Sequence, residues 1–194
     1  MTTRRMYVFM ILMLALAIVS VVKEVQAGTD EKYKRSVENY VVPDVTLINQ
    51  NGNKVKLNTL LHSKKPVLVD FIFTTCTTVC PILSAGFSNF QVKLGTESDK
   101  VQLISISIDP DHDSPKAMKE YLKRYGAKSG WDFLTGHKSD IDKVLTAFGA
   151  YTPDKMAHLP LTLLYSSADN QWIRLYGLFG ASDLKIEYEK VFKR

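Results

Sequence analysis

The spacing of hydrophobic positions changes along the chain in a regular order. Two short runs, residues 44–48 and 55–57, flank Asn51-Gly52-Asn53, the pattern of a β-hairpin closed by an Asn-Gly turn. Pro66 opens a continuous apolar run over residues 67–73, as in a strand buried on both faces. Val79, Leu83, Phe87, Phe90 and Leu94 then recur at helical spacing and stop at Gly95. A second strand is predicted over residues 101–108. Ser114-Pro115 starts a helix that runs to Gly126, with Ser as cap and Pro in the first turn. A short strand at 131–134, a helix at 140–148, two strands at 161–165 and 171–176 and a closing helix over about 182–192 complete the pattern.

Strand, helix, strand and helix, then a hairpin and a last helix, predict an α/β domain with helices on both faces of a sheet. The order is thioredoxin-like, with an N-terminal β-hairpin extension before the first core strand. The domain is expected over residues 43–194. Residues 28–42 are polar and aperiodic and read as a linker.

The N-terminus changes where this domain must work. Arg4-Arg5 precede an unbroken apolar stretch, residues 6–22, and Val25-Gln26-Ala27 gives a small-x-small ending. This is an export signal, cleaved after Ala27 or retained as a membrane anchor through residues 6–22. Either outcome exports the domain, to the periplasm or the outer face of the inner membrane, with the basic end inside. The net charge of +5 includes +2 within the first 27 residues, leaving +3 spread thinly over the rest. That is too little, and too dispersed, for a nucleic-acid partner.

Export also changes the reading of the two cysteines, Cys76 and Cys80. A structural disulfide stabilises by closing a long loop, and this pair would close only a few residues. The segment Phe73-Thr74-Thr75-Cys76-Thr77-Thr78-Val79-Cys80-Pro81 instead lies at a strand-to-helix junction, at the carboxyl edge of a parallel sheet, where such folds react and bind. The free amides and dipole of a helix N-terminus favour thiolate, the form that attacks and that ligates. Three intervening residues put both sulfurs on one face of the first turn, able to share a metal ion or to cycle as a redox pair. A metal needs a further ligand. His62 and His137 fall in surface loops, and His112 lies in a loop that could approach the site. His158 precedes the strand at 161, where the thioredoxin-like order brings it to face the cysteines. Met156 reads as a packing residue. Asp109 and Asp113 either orient the site or cap the next helix.

With these residues assembled, the sequence resembles the SCO/SenC family, exported thioredoxin-fold proteins associated with copper delivery to cytochrome c oxidase. Phe71-Ile72-Phe73-Thr74-Thr75-Cys76-Thr77-Thr78-Val79-Cys80-Pro81 carries the likeness, as does the run from Ile106 through Asp109-Pro110-Asp111-His112-Asp113-Ser114-Pro115. His158 before a late strand is the third feature. The resemblance covers about residues 43–192 and implies copper, Cu(I) or Cu(II), held by Cys76, Cys80 and His158. It also implies a copper metallochaperone whose partner is the copper-site subunit of a cytochrome c oxidase, or another apo-copper protein. The chain departs from the family in having Ala157 before the histidine and Leu159 after it, where an acidic residue and Ser or Thr are usual. Leu159-Pro160 resembles the cis-proline step that faces the thiols of thioredoxins. An exported thiol–disulfide oxidoreductase acting through Cys76 and Cys80, which reduces an apo-copper protein, is the second expectation. A peroxiredoxin-like peroxidase is the third, although no arginine stands out to polarise a peroxide.

Overall fold

A computed structural model describes residues 32–167 and 169–193. The apolar stretch 6–22 and the export signal lie outside these residues. Among the described residues no helix is long and apolar enough to cross a membrane.

Eight strands form one mixed sheet. In chain order they are β1 (Tyr33–Glu38), β2 (Thr46–Asn49), β3 (Lys54–Lys56), β4 (Val67–Ile72), β5 (Gln102–Ser107), β6 (Trp131–Thr135), β7 (Leu161–Ser166) and β8 (Gln171–Gly177). The helices are α1 (Leu57–Leu61), α2 (Val79–Leu94), α3 (Pro115–Arg124), α4 (Lys138–Ala147) and α5 (Ala181–Phe192). Across the sheet the order is β1-β8-β7-β4-β5-β6-β2-β3. β4, β5 and β6 run parallel, β7 lies antiparallel beside β4 and β8 antiparallel beside β7, and the β2–β3 hairpin joins the far side through β6.

The apolar run of β4 is explained by the two layers it separates. Leu68 and Ile72 enter one core with Phe87 and Phe90 of α2 and Tyr188 of α5. Val67, Val69 and Phe71 enter the other with Leu57 of α1 and Val144 of α4. Neighbouring side chains on a strand point to opposite faces, so a strand covered on both sides is apolar on both, here with Asp70 as the one exception. Each fully buried side chain of this size contributes about 1.5–3 kcal/mol.

The local punctuation acts as expected. Gly52 adopts φ +80 in the β2–β3 turn, and Asn49 Oδ1 accepts the amides of Asn51 and Asn53. Ser114 Oγ accepts the Ala117 amide at 3.2 Å and Pro115 occupies the first turn of α3.

Two expectations need correction. The segment read as linker holds β1, which pairs along all six of its residues with β8. Its cause is tertiary: Arg35 and Tyr33 both bond the buried carboxylate of Glu187 on α5, at 2.8 Å each. The cis-proline likeness also does not hold. No peptide bond among the described residues is cis, and the Pro160 carbonyl instead extends the β7–β8 ladder, accepting from Gly177 N at 2.9 Å.

Candidate metal centre

Beyond β4 the chain turns at Phe73, whose carbonyl accepts the Cys76 amide at 3.2 Å. This turn sets Cys76 just outside the first turn of α2 and Cys80 within it. Thr78 stands at the cap of α2 yet makes no side-chain capping bond; its hydroxyl lies 3.5 Å from Cys76 Sγ. Burial opposes ionisation of Cys76, but contacts from the Cys80 thiol, the Thr78 hydroxyl and the amides of Cys80 and Thr78 outweigh it and hold this thiol below its usual range. Burial pushes Cys80 far up, and the neighbouring Cys76 adds to the rise. The helix N-terminus therefore activates one sulfur and not the other. Both cysteines are free thiols.

His158 arrives from the opposite side of the sheet edge. A 3-10 turn, Lys155–Ala157, is capped by Asp154, which accepts the Met156 amide at 2.9 Å, and delivers His158 just before β7. The ring packs edge-on against Phe73, with centroids 5.4 Å apart. Nδ1 lies 2.8 Å from the Lys155 carbonyl, which can only accept, so Nδ1 carries the proton and Nε2 its lone pair. Nε2 sits 3.3 Å from Cys80 Sγ, and the Cys80 thiol donates to it. Burial lowers the imidazole pKa against the opposing pull of the Lys155 carbonyl, keeping the ring in the neutral form that ligates.

One acidic loop braces both halves. Asp113 accepts from the Thr74 amide and hydroxyl, two residues before Cys76, and from Ser107 Oγ at 2.6 Å. Asp109 accepts from Lys155 Nζ at 2.5 Å and from His112 Nδ1 at 2.9 Å. Of the two readings of these aspartates, orientation of the site is the one the contacts support, since Ser114 caps α3.

The remaining candidates fall elsewhere. His62 and His137 are exposed, as expected. His112 is exposed too, bound to Asp109 and outside the cysteine group. Met156 is 58% exposed, so its expected packing role is not realised. Arg35, Arg124 and Arg174 are engaged by Glu187, the Tyr121 ring and the Phe148 and Gly149 carbonyls, none of them beside the cysteines.

Two residues were missed by sequence reasoning. Lys155 carries no local signal beyond its place three residues before His158. Asp70 had one: it is the single charge in an apolar strand. It is fully buried, and neither carboxylate oxygen has a hydrogen-bond partner among the described residues. Burial raises its pKa to about 7. Ser105 on β5, whose hydroxyl accepts from Trp131 Nε1, sits outside hydrogen-bond geometry to Asp70 and offsets burial only in part.

The donor atoms of Cys76, Cys80 and His158 all lie within 4.8 Å of one another, the one such group among the described residues. Ligands at about 2.0–2.3 Å around a three-coordinate ion stand roughly 3.5–4 Å apart, so a small contraction closes the set. Two thiolates and an imidazole suit copper or zinc rather than hard cations. Two thiolates alone satisfy Cu(I).

Known proteins match the chain. The SCO1/SenC family profile covers residues 34–178. The SCO1 protein homolog of Bacillus subtilis is 41% identical over 107 residues, 54% of each chain. A putative copper-binding protein of Stutzerimonas stutzeri is 28% identical over 109 residues, 56% of this chain and 52% of the relative. The chain thus spans about half the length of these curated relatives. Among solved structures, copper-bound ScoI of Bradyrhizobium japonicum is 31% identical with a TM-score of 0.59, covering 75% of this chain and 98% of that one. BsSco, a member of the Sco family of cytochrome c oxidase assembly proteins with an identified disulfide switch, is 30% identical with a TM-score of 0.66, covering 80% and 95%. The thioredoxin-like α/β fold read from the sequence is the fold of these structures, and by the extent of the family match this chain belongs to the SCO1/SenC family.

Proposed function

We propose that this protein binds copper as its cargo through Cys76, Cys80 and His158 and delivers it to the binuclear copper site of a cytochrome c oxidase during assembly. The observation that carries the proposal is the convergence of two sulfurs and one imidazole nitrogen, from segments 78 residues apart, at the carboxyl edge of the sheet. Copper-bound and oxidase-assembly relatives of 30–31% identity support the choice of metal and of recipient. Cu(I) rests on the two sulfurs and Cu(II) adds His158. A low-coordinate ion at a loop edge passes on by ligand exchange, because an incoming donor adds before an outgoing one leaves. The export signal in residues 1–27, cleaved or kept as an anchor through 6–22, places the domain outside the cytoplasm. A SCO1/SenC lipoprotein of Bacillus anthracis among the structural neighbours supports membrane association. The test is copper stoichiometry and affinity of the reduced protein against Cys76→Ala and His158→Ala. Copper binding unchanged by Cys76→Ala overturns the proposal.

A second reading, an exported thiol–disulfide oxidoreductase, is favoured by the split between the two thiols. Cys76, the lowered one, attacks a target disulfide, and Cys80 then displaces the reduced target, leaving a Cys76–Cys80 disulfide. His158→Ala separates the readings in cells: lost oxidase assembly points to metal delivery, and retained assembly to dithiol chemistry alone.

A further inference from the structure

His158 is held in a chain of contacts that begins well away from copper's ligands. Lys155 Nζ sits 2.5 Å from Asp109 Oδ2 and 5.4 Å from the centre of the Phe73 ring. Three segments therefore converge on one ammonium: the loop after β5, the end of β4 and the turn before β7. The carbonyl of the same Lys155 accepts the His158 Nδ1 proton at 2.8 Å, and Phe73 also packs on the imidazole. An ion pair at one end of Lys155 thus fixes the residue whose other end sets the tautomer and direction of the ring. Thr152 and Asp154 order the turn locally, through Thr152 Oγ1 to the Asp154 carbonyl at 3.0 Å and the Asp154 cap. They do not tie it to the rest of the domain. Among the hydrogen bonds from this turn's side chains, the Lys155–Asp109 bond is the one that reaches another element, apart from the His158 contact with Cys80 itself.

We propose that Lys155, anchored by Asp109, is a positioning residue that holds His158 Nε2 on the cysteine pair and so sets the preference of the site for Cu(II) over Cu(I). The inference rests on copper binding at Cys76, Cys80 and His158. Its logic is that the two oxidation states use different parts of the site. Cu(I) is satisfied by the sulfurs, which the strand–helix junction positions without help from Lys155. Cu(II) needs the imidazole and depends on whatever aims it. Partners of this kind behind a metal-binding histidine are worth about 10–100-fold in affinity. Asp109 is half of the device. Burial opposes its ionisation, but Lys155 first and His112 next hold its carboxyl below the usual range, so the anchor stays charged through neutral pH.

The experiment compares wild type, K155M, D109N, the double variant and K155R. K155M keeps a side chain of similar length and removes the ammonium, and with it both the Asp109 bond and the contact over the Phe73 ring. Each protein is titrated with Cu(I) and with Cu(II), and the thiolate-to-Cu(II) charge-transfer band is recorded. Imidazole 15N shifts of His158 are read in the copper-free protein. Expected are an about ten-fold or greater loss of Cu(II) affinity and a shifted band in K155M and D109N, with no further loss in the double variant. Cu(I) affinity stays within about two-fold, K155R stays near wild type, and the copper-free variants show mixed ring tautomers where wild type shows Nδ1–H alone. Wild-type Cu(II) affinity and a single tautomer in K155M overturn the inference while leaving copper binding intact. Equal loss of both oxidation states also overturns it, as a general structural effect. A wild-type protein that binds neither ion refutes the underlying copper reading, and the 15N shifts then judge the positioning role alone.

Discussion

Cys76 and Cys80 lie four residues apart on one uninterrupted piece of backbone, whereas His158 meets them across a gap of 78 residues. The cysteine half is built from a buried strand, a tight turn at Phe73 and the start of a sixteen-residue helix. Its geometry follows from covalent connection plus two large cores. The histidine half is a three-residue turn held by an ion pair and an aromatic contact. The same site thus joins a rigid dithiol to an imidazole whose aim depends on side chains. The lesson is that a site built this way can vary its third donor without disturbing the first two.

That contrast can be broken in several places. The largest effect is expected on the rigid side: Cys76→Ala or Cys80→Ala removes stoichiometric binding of both Cu(I) and Cu(II), measured by titration, whereas His158→Ala removes only the Cu(II) form. Next in size is Asp70→Asn, beneath the cysteine half. The folded protein holds the Asp70 proton up to about pH 7, while the unfolded chain releases it at its usual 3.8. Stability is therefore lost as pH rises between those values and stays low above them. Removing the titration raises unfolding free energy at pH 8 by at most about 4 kcal/mol and changes it little at pH 4, as read from urea melts. An equal gain at both pH values would count against this account. Asp113→Ala leaves Thr74 and Ser107 without their acceptor and costs about 2–3 kcal/mol, with a faster exchange of the Thr74 amide. The smallest perturbation is chemical: limited alkylation with iodoacetamide near neutral pH modifies Cys76 first, seen by peptide mass mapping, because its thiolate fraction exceeds that of Cys80.

How legible each half was in the sequence follows from the same difference. The helix over 79–94, the Ser114-Pro115 start and the Asn-Gly hairpin depend on neighbours in the chain, and the structure shows them as read. The CxxxC pair was identified because strand end and helix start are local signals. His158 was placed near the site from topology, but its ring direction depends on Lys155 and Asp109, 46 residues apart, and no local pattern records such a pairing. β1 was missed for a related reason. Its half-exposed residues carry no clear period, and it is a strand because β8 and Glu187 make it one. Asp70 was visible as a charge in an apolar run, and only the fold shows that neither of its carboxylate oxygens finds a partner.

β1 bears on solubility. An open sheet ends in unpaired amides and carbonyls that can recruit another chain. Here one rim is β3, three residues with a lysine at each end, too short and too charged to template growth. The other would be β8, seven residues long with Trp172, Ile173 and Leu175 buried along it. β1 covers that rim over six paired residues, its Lys34 exposed and its Arg35 tied back to Glu187. A chain trimmed to begin at Pro43 keeps every copper ligand and exposes a long apolar edge. Such a fragment is expected to polymerise through β8, and a soluble expression product should retain Tyr33.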